Sequence, residues 1–271
     1  MSGRAGNIIR IGWREFYSTA FNPIVLALLV IGLIFIFING AFGQVFLTEM
    51  QRFDVNNDAF ISGFRGVYAA VMVTFAIISG FLGVLSVSEE RGRGSMKVLL
   101  CKPVYKTDVV IGKIVGLGMF MLSLAVVMHM LTGLILMIFF REPASATDYL
   151  GRLAGFILSS FLQSMLIIGF SLFIGMVVRN VLLSTATIAI YVFFDFLGAN
   201  VGAIVNMIPV LPSRFLTRIL IPANDVAIFD SGVPVSTWFE LAAPHILLMA
   251  LVVVLVLLVD CAVFSRQQED E

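Results

Sequence analysis

The chain reads as an all-α membrane protein, on three observations. Of its 271 residues, 60% are hydrophobic and only 13% charged. Its mean hydropathy is +1.05, whereas soluble domains hold roughly half apolar and a quarter charged residues. Six runs reach the length of about 20 largely apolar residues that a helix needs to cross a bilayer. They lie at 23 to 43, 66 to 88, 114 to 140, 153 to 178, 181 to 207 and 241 to 264. A formal net charge of zero and the lack of a basic tail give no reason to expect nucleic acid as a partner.

The first element, residues 4 to 20, places Ile9, Trp13, Phe16, Tyr17 and Ala20 at helical spacing. Arg10 and Arg14 fall one turn apart on another face, the pattern of an interfacial amphipathic helix. The run at 23 to 43 is too long for a cleaved signal peptide and leads into no soluble domain, so it is read as the first span.

Orientation follows from the Lys and Arg residues, which accumulate in cytoplasmic loops. With the N-terminus inside, the inner segments hold Arg4, Arg10, Arg14, Arg91, Arg93, Lys97, Lys102, Lys106, Lys113, Arg179 and Arg266. The outer segments hold Arg52, Arg65, Arg141, Arg152, Arg214 and Arg218. Eleven against six, which together make the 17 basic residues, puts both termini in the cytoplasm of a cell-membrane protein. All four lysines, Lys97, Lys102, Lys106 and Lys113, fall in the one loop between the second and third spans.

That loop turns polar at Glu89-Glu90-Arg91, and Gly92 and Gly94 permit backbone geometry that other residues resist. A short helix can restart at Ser95, with Met96, Leu99 and Leu100 on one face, and Pro103 stops it. Thr107 can cap the following helix, with Asp108 at its positive end and Lys113 where the chain enters the third span. Before the last span, residues 208 to 240 carry Pro209, Pro212, Pro222 and Pro234 among apolar residues such as Phe215 and Leu216. Prolines that frequent break a spanning helix, so short re-entrant or surface helices at the outer interface are expected. Periodicity gives no second domain, and residues 1 to 271 read as one transmembrane domain.

In the order Glu89-Glu90, Gly92 and Gly94, Leu99-Leu100, Pro103 and Lys113, the loop resembles that of ABC-2 type transporter permease subunits. The whole layout is similar too, and within the family it looks like the small stand-alone permeases, among them the nitrous oxide reductase maturation type. The resemblance implies a homodimer or close heterodimer bound to two separate ABC ATPase subunits. It also implies that residues 89 to 102 act as a coupling helix, with Glu89, Glu90, Arg91, Gly92, Gly94, Leu99, Leu100 and Pro103 as the contact set. The chain itself has no phosphate loop, since Gly112-Lys113 is followed by Ile114, so ATP and Mg would be held by the partner. The plain alternative for the loop is a positive-inside signal that meets only lipid headgroups.

Asp195 is the one acidic residue deep in a span, where insertion costs about 2.5 to 3.5 kcal/mol near the centre. It either lines a substrate path or proton relay, or is hydrogen-bonded between helices. Gly198 and Gly202, one GxxxG step, mark the same face for close helix or dimer packing. His129 and His245 are isolated, so no metal site is expected. Cys101 and Cys261 both fall on the reducing side, and no disulfide is expected. Asp260 is expected to reach headgroup depth or Arg266, and the 13 methionines are read as lipid contact and packing. No nucleophile and base arrangement is present, so the chain is not expected to be an enzyme. The leading expectation is an exporter permease driven by separate ATPases. A non-transporting membrane scaffold and an ion-coupled carrier using Asp195 are the alternatives.

Overall fold

The computed structural model describes residues 4–50, 59–92, 106–139, 143, 145–178, 180–200, 211–223 and 226–267. Of these, nearly all are helical. The helices are α1 (Arg4–Ala20), α2 (Pro23–Met50), α3 (Ala59–Gly92), α4 (Lys106–Phe139), α5 (Ala146–Val177), α6 (Val181–Asn200), α7 (Pro212–Leu220) and α8 (Val235–Gln267). The expected restart at Ser95, together with Gly94, Leu99, Leu100, Cys101, Pro103 and Gly202, lies outside the described residues.

Among the described residues, four segments are long and apolar enough to cross a membrane: Gly63–Val87, Thr107–Ile138, Ala146–Val177 and Val235–Phe264. α6, Val181–Asn200, is 20 residues long, about 30 Å at 1.5 Å per residue, and Val181–Phe196 is its described apolar part. Counting α1 and α2 as one broken span gives a fifth. Length and composition therefore support four or five crossings, one or two fewer than the six runs read from the sequence.

The break between α1 and α2 bends the chain by 58°. Asn22 causes it, accepting the Ile24 N–H at 3.0 Å through its side chain, while Pro23 opens α2. The helix read at 4 to 20 is found there, with Ile9, Trp13 and Tyr17 exposed on its outer face. Its inner face was not foreseen. Gly12 meets Gly112 and Gly116 of α4 with almost no intervening side chain, and a Cβ on Gly112 would lie 2.7 Å from that of Ile11.

α3 and α5 form the centre of the bundle, with α4, α6 and α8 around them. Phe64 stacks on Phe156 at 5.0 Å between ring centres, and Phe75, Met121, Met128 and Leu166 fill the space behind them. α3 also runs past the expected end of the second span, so Glu89, Glu90, Arg91 and Gly92 form its last helical turn rather than the start of a loop. Serine and threonine in these helices return their hydroxyls to the carbonyl four residues back, as Thr74, Thr132, Ser164 and Ser171 do. That satisfies a polar group without water.

At the end of the bundle where α4 gives way to α5, buried Arg152 holds the segment before α8. Its guanidinium pairs with Asp148 at 2.6 Å, donates to the Val233 carbonyl at 2.6 Å and also donates to that of Ile228. Trp238, fully buried, donates its ring N–H to the Ile219 carbonyl at 3.0 Å. The short helix expected within 208 to 240 is α7, and the chain after it makes a bridge between Ala223 and Val226. Sequence reasoning counted Arg152 only as a loop charge; it is a structural staple.

Candidate functional site

Among the described residues, two further polar clusters join side chains of different helices, one toward each end of the bundle. The first lies just inside the segment that links α3 to α4. The Lys113 ammonium of α4 donates to the Ser86 carbonyl at 2.7 Å and the Ser86 hydroxyl at 3.0 Å, both on α3. It also pairs with the Glu15 carboxylate of α1 at 3.5 Å, and the Ser86 hydroxyl donates to that carboxylate at 2.5 Å. Three helices thus meet in one buried clasp. Lys113 is 6% exposed, which a lysine tolerates only when paired. The sequence singled out Lys113 but not its partners. Glu15 was hidden in an amphipathic helix whose charges look solvated, and Ser86 gave no signal.

The second cluster surrounds Asp195. Helix α7 has no cap of its own, since its N-cap residue is Leu211. Asp195, from α6, accepts the Ser213 N–H at 2.8 Å and so caps α7 from another helix. The cost of a buried carboxylate is offset by a helix N-terminus, which is the hydrogen-bonded interhelix reading of this residue. Gly198 continues α6 one turn on.

Asp195 also lines a cavity of about 220 Å³ bounded by α3, α5, α6, α7 and the segment after α7. Its walls are largely apolar, formed by Met72, Val192, Phe196, Leu216 and Phe229, with Arg65 exposed among the lining residues. Gln163, 3% exposed, contributes a side-chain oxygen without a hydrogen-bond partner, and the Ser213 hydroxyl lies beside Asp195 on the same wall.

A family model described as ABC-2 family transporter protein matches residues 9–268. The chain belongs to the ABC-2 transporter family. The match takes in both polar clusters and the eight described helices apart from the start of α1. No curated protein gives a significant match. Membership of the ABC-2 family and the apolar helices together make this an integral membrane transport protein.

Among the other expectations for the ABC-2 chain, His129 is buried and spends both ring nitrogens, on the Ala125 carbonyl at 2.9 Å and the Ser160 hydroxyl at 3.1 Å. Among the described residues no group of His, Cys, Asp or Glu is arranged to hold a metal. Asp260 is fully buried and faces Gly169 of α5, and neither carboxyl oxygen has a hydrogen-bond partner.

Proposed function

We propose that this chain is the membrane subunit of an ABC exporter, powered by ATP that separate ATPase subunits hydrolyse. In this reading it crosses the cytoplasmic membrane six times with both termini inside. α2, 28 residues long, crosses by itself, α6 makes a further crossing, and two copies pair around the transport path. Residues 89 to 102 are the coupling element. Glu89, Glu90, Arg91, Gly92, Gly94, Leu99, Leu100 and Pro103 meet the ATPase, which holds the ATP and Mg. The α3 and α6 helices face the path, and Gly198 and Gly202 let the second copy approach.

The observation that carries this reading is the Glu15–Ser86–Lys113 clasp. It ties α1, α3 and α4 together at the base of the segment that the ATPase would push. A displacement of residues 93 to 105 is then delivered to three helices at once instead of being lost in a soft hinge. Packed helices transmit such shifts as rigid elements. The carrier alternative requires an Asp195 that loads and releases an ion, but this carboxylate is engaged at the N-terminus of α7.

Affinity purification in mild detergent tests the assembly: an ABC ATPase is expected in the eluate and ATP hydrolysis with it. Exchange of Glu89 and Glu90 for Gln together should lower transport-coupled hydrolysis while leaving the chain in the membrane. A well-assembled double variant with unchanged coupled hydrolysis refutes the coupling assignment.

A further inference from the structure

The cavity beside Asp195 has a chemistry that no packing role accounts for. Most buried polar side chains in these helices find an acceptor or donor nearby, as Tyr68 does with the Ser159 hydroxyl at 2.8 Å on the same wall. The Gln163 oxygen does not, although the residue is 3% exposed. Leaving such atoms unpaired is unfavourable unless something else visits them.

Of the groups on the inner wall, the Gln163 oxygen and the Asp195 carboxylate only accept hydrogen bonds. The Asp195 carboxyl is 4% exposed and accepts one N–H, from Ser213. Arg65 is the one cationic side chain of the lining and it is exposed, where solvent screens it. The rest of the wall is aliphatic and aromatic. An apolar body therefore fits the walls, and a polar end that supplies hydrogens fits the unpartnered Gln163 oxygen and the Asp195 carboxyl.

We infer that this cavity binds small amphiphiles with an apolar body and a hydrogen-bond-donating amine end, the amine resting against Gln163, Ser213 and Asp195. The inference rests on the permease reading in taking such a molecule as transported cargo, but the site itself needs no ATPase. An acidic amphiphile fits less well, because its carboxylate meets the Gln163 oxygen and the Asp195 carboxyl oxygens.

The test is a fluorescence titration of the purified chain in detergent micelles. The probes are dansylcadaverine, an amine, and N-dansyl-6-aminohexanoic acid, its carboxylate counterpart, with empty micelles subtracted. The amine is expected to bind saturably and at least tenfold more tightly than the acid. Gln163→Leu and Ser213→Ala should each weaken amine binding several-fold or more, and Gln163→Leu, which removes an unpartnered buried oxygen, should do so without lowering the melting temperature. Gln163→Glu should tighten it. Equal affinity for amine and acid overturns the inference, as does amine binding that survives both neutral variants or an amine that never saturates. Failure of this titration with an ATPase present in the purified complex removes the ligand class and leaves the permease reading standing. Saturable, variant-sensitive amine binding by a chain that captures no ATPase does the reverse.

Discussion

Exchanging Lys113 for Met removes the centre of the three-helix clasp. Lost are its bonds to the Ser86 carbonyl, the Ser86 hydroxyl and Glu15. Removing one member of a buried ion pair costs about 3 to 5 kcal/mol, mostly because the other charge is left unpaired. The Glu15 side chain is 18% exposed and keeps the Ser86 hydroxyl, so the lower end, about 3 kcal/mol, is expected. Neutralising Glu15 as well, in Glu15→Gln with Lys113→Met, relieves the unpaired charge. The double variant should then be more stable than the sum of the two single losses by about 1 to 3 kcal/mol. Denaturant unfolding of the purified chain, followed by the fluorescence of Trp13 on α1, reads the cycle at the helix that the clasp holds. Additive losses, within about 0.5 kcal/mol, would show that Lys113 and Glu15 act independently and refute the clasp as a unit.

Other perturbations separate the remaining roles. Asp195→Ala should cost roughly 1 kcal/mol, the usual loss of a helix cap, and Asp195→Asn less. If transport in proteoliposomes survives Asp195→Asn, the residue is a cap; abolished flux independent of ATP restores the carrier reading. Arg152→Met should free the segment after α7, exposing it to limited proteolysis, at a cost of about 3 to 5 kcal/mol for a broken buried pair. Gly116→Leu should force α1 off α4, where the Gly12 carbonyl abuts Gly116. Overpacking of this kind costs about 1 to 3 kcal/mol, and faster cleavage of the N-terminal helix by protease is its signature.

What the sequence made legible were features written in local periodicity and composition. The amphipathic stripe of Ile9, Trp13 and Tyr17 placed α1 at its observed boundaries, and the prolines of 208 to 240 announced a short helix before α8. Crossing number was harder, because α6 has an apolar run of marginal length whose partners decide its role. Tertiary pairing was not legible. Glu15 and Ser86 stand 71 positions apart and carry no mutual pattern, yet they share a bond. Asp195 was conspicuous, but its partner is a backbone N–H in α7, which no side-chain motif advertises. Gln163 and Arg152 drew no attention as site residues, because one polar residue per helix turn looks like ordinary membrane-helix composition.

The claim on which the rest depends is that the segment joining α3 to α4 is grasped by an ATPase in the cytoplasm. A single cysteine at position 97, in a chain with Cys101 and Cys261 changed to Ser, tests it with one reagent set. The account predicts labelling by a membrane-impermeant maleimide in inside-out vesicles but not in intact cells, and a bifunctional maleimide should join the chain to an ABC ATPase subunit. Labelling of that cysteine from outside intact cells contradicts it, as does cross-linking of the assembled complex that captures no ATPase.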